Sequence, residues 1–235
     1  MDDLSTIASD PPAAALFLDV DGVLAPIVER PEDARVPDET RVELRRLAGR
    51  YGLVAVVTGR PSDEAREIVG VPELQYAGEH GLELDPGTAE WSDAIHAFAR
   101  SVDWPQTELK PSSASFHFRT APDPAAARTE LQHVAAAAVE LGLKTRWGRM
   151  VLEVLPPLAV SKGTAVRTLL AADGLRRALY AGDDTTDLNG FDALDGLEAA
   201  VRVATASPDG PQELASRADL VLGSPAAFLE LLKQL

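Results

Sequence analysis

Several acidic residues in this chain are spaced so that they can share one metal ion. Asp19 and Asp21 lie two residues apart in the segment Asp19-Val20-Asp21-Gly22. Side chains two residues apart on an extended segment point the same way, so both carboxylates can address one site. Neighbouring carboxylates repel each other, and a hard divalent cation such as Mg²⁺ relieves that repulsion. Taken alone, the segment also fits an acidic turn after a buried strand.

A second acidic segment has the same position relative to an apolar run. Residues 182–187 read Gly-Asp-Asp-Thr-Thr-Asp and follow the apolar residues 178–181, which gives Asp183, Asp184 and Asp187 as further oxygen ligands. By itself this segment also fits a helix N-terminus, where acidic residues are favoured. Two such segments after two apolar runs favour a shared metal site in which Mg²⁺ keeps several waters.

Two further segments supply hydrogen-bond donors and a positive charge. Thr58 and Gly59 end another apolar run and offer a hydroxyl and backbone N–H groups, and Lys162 begins a helix pattern. Helix N-termini accept anions, so these groups suit a phosphate. A capping threonine and a solvated lysine are the alternatives for each segment taken alone.

The elements that must position these residues alternate between strand and helix. Apolar runs predict strands at 15–19, 53–57, 74–77, 178–181, 199–204 and 220–222. Helical spacing predicts helices at 37–51, after Pro61, at 163–172, from Thr185 and at the C-terminus. This rhythm is typical of an α/β fold with a doubly wound, Rossmann-like parallel sheet, whose ligands bind at the carboxyl ends of the strands.

Residues 82–157 break that rhythm. They predict helices at 92–102 and 124–141, an alternating strand at 113–119, and two strands, 143–147 and 149–155, about a tight turn at Gly148. We therefore expect a core domain formed by residues 1–81 and 158–235, with an α+β domain inserted at 82–157.

Composition excludes several classes of function. The 235 residues carry 22 Lys and Arg against 37 Asp and Glu, a formal charge of −15, so a nucleic-acid or acidic-membrane partner is not expected. The chain has no cysteine, which excludes thiolate chemistry. Its acidic start and the absence of a long apolar run predict a cytoplasmic protein without a membrane span, and we expect a monomer.

The four segments together resemble the four motifs of the haloacid dehalogenase superfamily. The resemblance covers the DxDG loop at Asp19–Gly22, the threonine Thr58, the lysine Lys162 and the GDDxxD segment at 183–187, from about Leu16 to Leu222. It implies that the insert is a type 2 cap. It also implies a Mg²⁺-dependent phosphatase in which Asp19 is the nucleophile and Asp21 the acid and base. Thr58 and Lys162 then stabilise the phosphoryl group, with the metal held by Asp19, the Asp21 carbonyl and Asp183, and supported by Asp184 and Asp187.

Finer details resemble the trehalose-6-phosphate phosphatases. Gly78-Glu79-His80-Gly81, the pair Lys110 and His117-Phe118-Arg119, and the pair Gly148-Arg149 and Glu153 are similar to signatures of that family. The resemblance implies a sugar-phosphate substrate and a role in trehalose biosynthesis. The substrate-binding residues it implies are Gly59, Glu79, His80, Gly81, Lys110, His117, Arg119 and Glu153.

Two residues depart from the family pattern. Leu155 stands where arginine often follows the strand glutamate by two positions, and Val23 where a threonine is common. Because leucine cannot donate a hydrogen bond, another sugar phosphate or a pseudodisaccharide phosphate is the alternative substrate. A sugar-phosphate sensor without catalytic activity is the alternative of another class, although all the acidic residues, the threonine and the lysine are present.

Overall fold

A computed structural model describes residues 3–28, 30–148, 150–206 and 210–235. Within these residues the α-helices, α1 to α9 in chain order, are Asp3–Ser9, Asp38–Ala48, Ser62–Val69, Ala89–Ser101, Pro124–Glu140, Lys162–Asp173, Leu188–Asp192, Gln212–Arg217 and Pro225–Leu232. The strands, β1 to β10, are Ala15–Leu18, Leu53–Val57, Gln75–Ala77, Thr107–Leu109, Ala114–His117, Lys144–Gly148, Val151–Leu155, Arg177–Gly182, Ala199–Thr205 and Leu220–Leu222.

The larger sheet has the strand order β10-β9-β8-β1-β2-β3, and every neighbouring pair is parallel. Leu18 of β1 is in register with Val56 of β2 and with Ala181 of β8. The carboxyl ends of these three strands therefore meet at one edge of the sheet. The predicted doubly wound parallel sheet is confirmed.

Both faces of this sheet are buried, which explains why its strands read as continuous apolar runs. Leu16 and Leu18 pack into a core on one face with Leu44 of α2, whereas Phe17 packs into a second core on the other face with Val166 of α6. Successive side chains of β1 thus anchor opposite layers, and the position of its carboxyl end is fixed from both sides.

The chain divides into two compact units, Met1–Leu84 with Val160–Leu235, and Asp85–Ala159. The second unit holds an antiparallel sheet of order β4-β5-β7-β6 and the helices α4 and α5. Its separate core contains Phe116, Leu131 and Leu152. This unit has the α+β composition expected of the insert, while its function as a cap domain stays a prediction.

Some local expectations differ from the structure. The helix predicted from Thr185 begins as the 3-10 turn Thr185–Asp187 before the short helix α7. Helix α1 and strand β4 were not predicted. The predicted tight turn after Gly148 includes Arg149, which lies outside the described residues. Among the helices described, none is long and apolar enough to cross a membrane.

Candidate active site

Asp19 lies directly after β1 at the carboxyl edge of the parallel sheet. Its side chain is almost fully buried; Oδ1 accepts a hydrogen bond from the Val20 N–H at 2.8 Å, and Oδ2 accepts one from Lys162 Nζ at 2.6 Å. The pKa of Asp19 is raised to about 7, because burial and the charge of Asp187 together outweigh the opposing charge of Lys162. The carboxyl group is therefore held in place beside a fixed positive charge.

Asp187 is fully buried, and four donors surround its carboxylate. Oδ1 accepts hydrogen bonds from Lys162 Nζ and the Tyr180 hydroxyl, each at 2.7 Å. Oδ2 accepts from the backbone N–H groups of Asp183 at 3.0 Å and Asp184 at 2.9 Å. Asp187 thus ties the 183–187 loop to Lys162.

Asp19, Asp183 and Asp187 bring three carboxylate oxygens within 4.8 Å of one another. When all three are ionised, these carboxylates carry one more negative charge than a divalent cation alone would balance, and Lys162 supplies the remaining positive charge. The pKa of Asp183 is raised to about 8, mainly by burial and also by the charges of Asp19 and Asp187. An all-oxygen group with this excess of negative charge fits a hard divalent cation.

The three carboxylates differ in how readily they could bind a cation. The oxygens of Asp187 already accept two hydrogen bonds each. Asp19 and Asp183 could therefore bind a cation more readily than Asp187, whose carboxylate is held by its four hydrogen-bond donors. The carboxylate of Asp184 is exposed, and its Oδ1 accepts hydrogen bonds from the N–H and the hydroxyl of Thr185, at 2.7 and 3.2 Å.

Gly22 lets the two acidic loops approach each other. Its φ is +76°, and a Cβ placed there would lie 2.1 Å from Asp183 Oδ2. Any larger residue at position 22 would be strained and would displace the Asp183 carboxylate. The glycine of the first motif is thus required by the position of the second.

Thr58 and His80 meet at the end of β2. Thr58 is almost fully buried, and its carbonyl accepts a hydrogen bond from the His80 N–H at 2.8 Å. The imidazole of His80 lies against Gly59, where an added Cβ would be 2.6 Å from Nε2. The structure therefore brings Thr58, Gly59 and His80 together.

The segment Glu79-His80-Gly81 has an unusual backbone. Glu79 and His80 have φ values of +47° and +58°, in a backbone region that residues other than glycine rarely adopt. Gly81 has a φ of +99°. Buried Glu79 donates its backbone N–H to the Arg60 carbonyl at 2.8 Å. Strained residues of this kind cluster at functional sites, where the surrounding structure holds them.

Arg60 is a residue of the site that the sequence analysis did not single out. Its Nε donates to Asp21 Oδ2 at 2.7 Å and its Nη2 donates to Asp21 Oδ1 at 2.8 Å. The same guanidinium also forms an ion pair with Glu64. Because Asp21 and Arg60 are 39 positions apart, only the tertiary structure shows that they pair.

The remaining predicted residues lie in the second unit. Glu153 of β7 accepts a hydrogen bond from Arg146 Nε at 2.7 Å, and Lys110 Nζ is 3.9 Å from its other carboxylate oxygen. His117 Nε2 is 2.8 Å from Glu108 Oε2, and Arg119 is exposed in the turn after β5. Glu153 and Lys110 are thus close together, and sequence reasoning missed their neighbour Arg146.

Solved structures of other proteins share the fold of this chain. A trehalose-6-phosphate phosphatase related protein superposes with a TM-score of 0.73 over 93% of this chain and 95% of that chain, at 24% identity. A haloacid dehalogenase-like hydrolase from Bacteroides thetaiotaomicron superposes with a TM-score of 0.67 over 94% and 98%, at 13% identity. The chain has the fold of the haloacid dehalogenase-like hydrolases.

Sequence comparison narrows the class to a family. The family model described as trehalose-phosphatase matches residues 17–107 and 96–220. The trehalose-phosphate phosphatase of Mycobacterium avium (strain 104) is 32% identical over 94% of this chain. The chain belongs to the trehalose-phosphatase family. It spans 61% of the length of that relative.

Proposed function

We propose that this protein hydrolyses trehalose 6-phosphate to trehalose and inorganic phosphate with the help of Mg²⁺. The observation that carries the proposal is the group of buried Asp19, Asp187 and Lys162 with half-buried Asp183 in a member of the trehalose-phosphatase family. The names of its relatives support the substrate, and the all-oxygen donor set supports the metal.

Asp19 is the proposed nucleophile. One of its carboxylate oxygens attacks phosphorus, the bond from phosphorus to the sugar oxygen breaks, and an aspartyl-phosphate forms. Lys162 lies 2.6 Å from Asp19 and supplies positive charge to the transferring phosphoryl group, with the hydroxyl of Thr58 as a further donor. When bound, Mg²⁺ would add charge stabilisation at the same phosphoryl oxygens.

Asp21 is the proposed acid and base. In the first step it gives a proton to the departing sugar oxygen, which leaves as the alcohol. In the second step it takes a proton from the water that attacks phosphorus, which releases inorganic phosphate and restores Asp19. No proton is left over at the end of the cycle.

The residues of the second unit are proposed to bind the sugar. Lys110, His117, Arg119 and Glu153 offer charged and hydrogen-bonding groups that suit hydroxyls. Gly59, Glu79, His80 and Gly81 of the first unit are proposed to bind substrate as well.

Phosphate release from a panel of esters tests the function. We expect Mg²⁺-dependent release from trehalose 6-phosphate in preference to glucose 6-phosphate, sucrose 6-phosphate and p-nitrophenyl phosphate. Asp19→Asn should lose at least about 1000-fold in kcat, whereas the exposed Asp33→Asn, whose partner is Arg30, should keep wild-type activity.

Each other outcome has a defined meaning. Metal-dependent cleavage of p-nitrophenyl phosphate without cleavage of trehalose 6-phosphate would keep the chemistry and refute the substrate. Absence of activity on every ester would refute the phosphatase and favour a sugar-phosphate sensor. Full activity of Asp19→Asn would refute the covalent mechanism.

A further inference from the structure

Arg60 contacts both oxygens of the Asp21 carboxylate. The Arg60 Nε to Asp21 Oδ2 distance is 2.7 Å and the Nη2 to Oδ1 distance is 2.8 Å, which is a two-pronged guanidinium–carboxylate pair. Such a pair fixes the direction of a carboxylate as well as its position. The Arg60 side chain is 11% exposed, whereas that of Asp21 is 38% exposed.

The arginine itself is anchored independently of Asp21. Its backbone N–H donates to Thr58 Oγ1 at 3.3 Å, and its carbonyl accepts from the Glu79 N–H at 2.8 Å. Its guanidinium also pairs with Glu64 of helix α3. Arg60 is therefore a fixed support, and Asp21 is the more exposed group that it holds.

We infer that Arg60 is the positioning residue that aims the acid–base carboxylate of Asp21 at the leaving oxygen of the substrate. The inference rests on the proposed function. General acid catalysis requires the acid to lie within hydrogen-bond reach of the oxygen it protonates. A guanidinium fork uses one lone pair of each carboxylate oxygen, and the second lone pair of either oxygen is left for the transferred proton.

This role predicts a loss that depends on the leaving group. A sugar alkoxide is a poor leaving group and needs the proton of Asp21, whereas p-nitrophenolate departs without one. The value of kcat/KM reports the steps up to the departure of the leaving group, so it separates these two cases. A purely structural role, or direct binding of phosphate by Arg60, would affect both esters equally.

The experiment measures kcat/KM on trehalose 6-phosphate and p-nitrophenyl phosphate. It compares the wild type with Arg60→Ala, Arg60→Lys, Asp21→Asn and the double variant that combines Arg60→Ala with Asp21→Asn. We expect Arg60→Ala to lose about 30-fold or more on the sugar phosphate and less than about 3-fold on the aryl phosphate. On the sugar phosphate, the double variant should be no worse than Asp21→Asn, because Arg60 acts through Asp21.

Arg60→Lys keeps the charge and removes the fork, so it should show the same selective loss at about 10-fold. This variant carries the test if Arg60→Ala does not fold. Equal losses on the two esters, or wild-type kcat/KM of Arg60→Lys on the sugar phosphate, would overturn the inference. If the wild type hydrolyses neither ester, the proposed function is refuted and this inference with it, an outcome distinct from equal losses in an active enzyme.

Discussion

Asp183 and Asp184 are neighbours in sequence with different surroundings. Asp183 belongs to the group of three carboxylates, whereas Asp184 binds Thr185 and is exposed. We expect Asp183→Asn to weaken Mg²⁺ binding about 10- to 100-fold and Asp184→Asn to change it by less than about 3-fold. The rise of the unfolding temperature with Mg²⁺ concentration measures both affinities. An equal loss in both variants would show that Asp184 is a ligand.

Tyr180 supports the site from within the core. Its hydroxyl donates to Asp187 Oδ1 at 2.7 Å, and the ring is fully buried. Because a hydrogen bond to a charged group contributes more than a neutral one, Tyr180→Phe should lower the free energy of unfolding by about 2 kcal/mol. Urea denaturation without metal measures this change.

Tyr51 provides the matched control for that variant. It is also a buried tyrosine, but its hydroxyl is 3.4 Å from the Leu235 carbonyl. Tyr51→Phe should therefore lower the free energy of unfolding by less than about 1 kcal/mol. If both variants are equally destabilised, the Tyr180 hydroxyl does not have the supporting role described here.

The sequence shows residues that carry chemistry more readily than residues that support it. The acidic residues and Lys162 stand next to apolar runs and can be found from their types and spacing. Tyr180 lies inside such a run and reads as core, and Arg60 has its partner 39 positions away. The role of Arg146 is equally hard to predict from the sequence, because its contact with Glu153 forms between two strands.

Among the elements, the tight turn after β1 has the most direct effect on the site. Gly22→Ala would combine a φ of +76° with a Cβ only 2.1 Å from Asp183 Oδ2. We expect it to lower the free energy of unfolding by about 1–2 kcal/mol. We also expect the Mg²⁺ concentration for half-maximal activity to rise about tenfold or more, because the Asp183 carboxylate moves.

Gly174→Ala separates strain from displacement. Gly174 has a φ of +66° and nothing within 4 Å of an added Cβ. This variant should have a similar stability loss with unchanged Mg²⁺ dependence. Urea denaturation measures the stability of both variants, and activity assays measure the Mg²⁺ concentration that each needs for half-maximal activity. If this Mg²⁺ concentration is the same for both variants, the approach of the two acidic loops does not depend on Gly22.

Short elements without an apolar run are the ones that the sequence does not predict. The eleven residues of α2 and the seventeen of α5 have helical patterns that are easily recognised. Helix α1 has seven residues with one buried side chain, Ile7, and strand β4 has three residues without a fully buried one. Such elements form because the rest of the fold packs against them, so their local sequence carries little signal.

At the scale of the whole molecule, the order of elements is predictable because strands and helices alternate on both sides of the insert. The specific pairing of side chains within the second unit is not, since antiparallel neighbours such as Arg146 and Glu153 come from different strands. Family membership supplies candidate roles for that unit. A monomeric state and a cytoplasmic location stay predictions.

If the second unit sets specificity, its variants should distinguish the two kinds of ester. Lys110→Met should lower kcat/KM for trehalose 6-phosphate about 10- to 100-fold and leave that for p-nitrophenyl phosphate within about 3-fold. Lys144→Met is the matched control, because Lys144 donates to the Leu158 carbonyl of the same unit and is exposed. Equal effects of Lys110→Met on both esters would remove Lys110 from sugar recognition.

The central claim is that Asp19 carries the phosphoryl group during turnover. The most direct measurement quenches the enzyme with trehalose 6-phosphate and Mg²⁺ in a single turnover, reduces any acyl phosphate with borohydride, and locates the product by peptide mass spectrometry. We predict conversion of the aspartate at position 19 to homoserine, absent when substrate is omitted. Phosphate release with no modification at position 19, or with modification at another aspartate, would contradict the account.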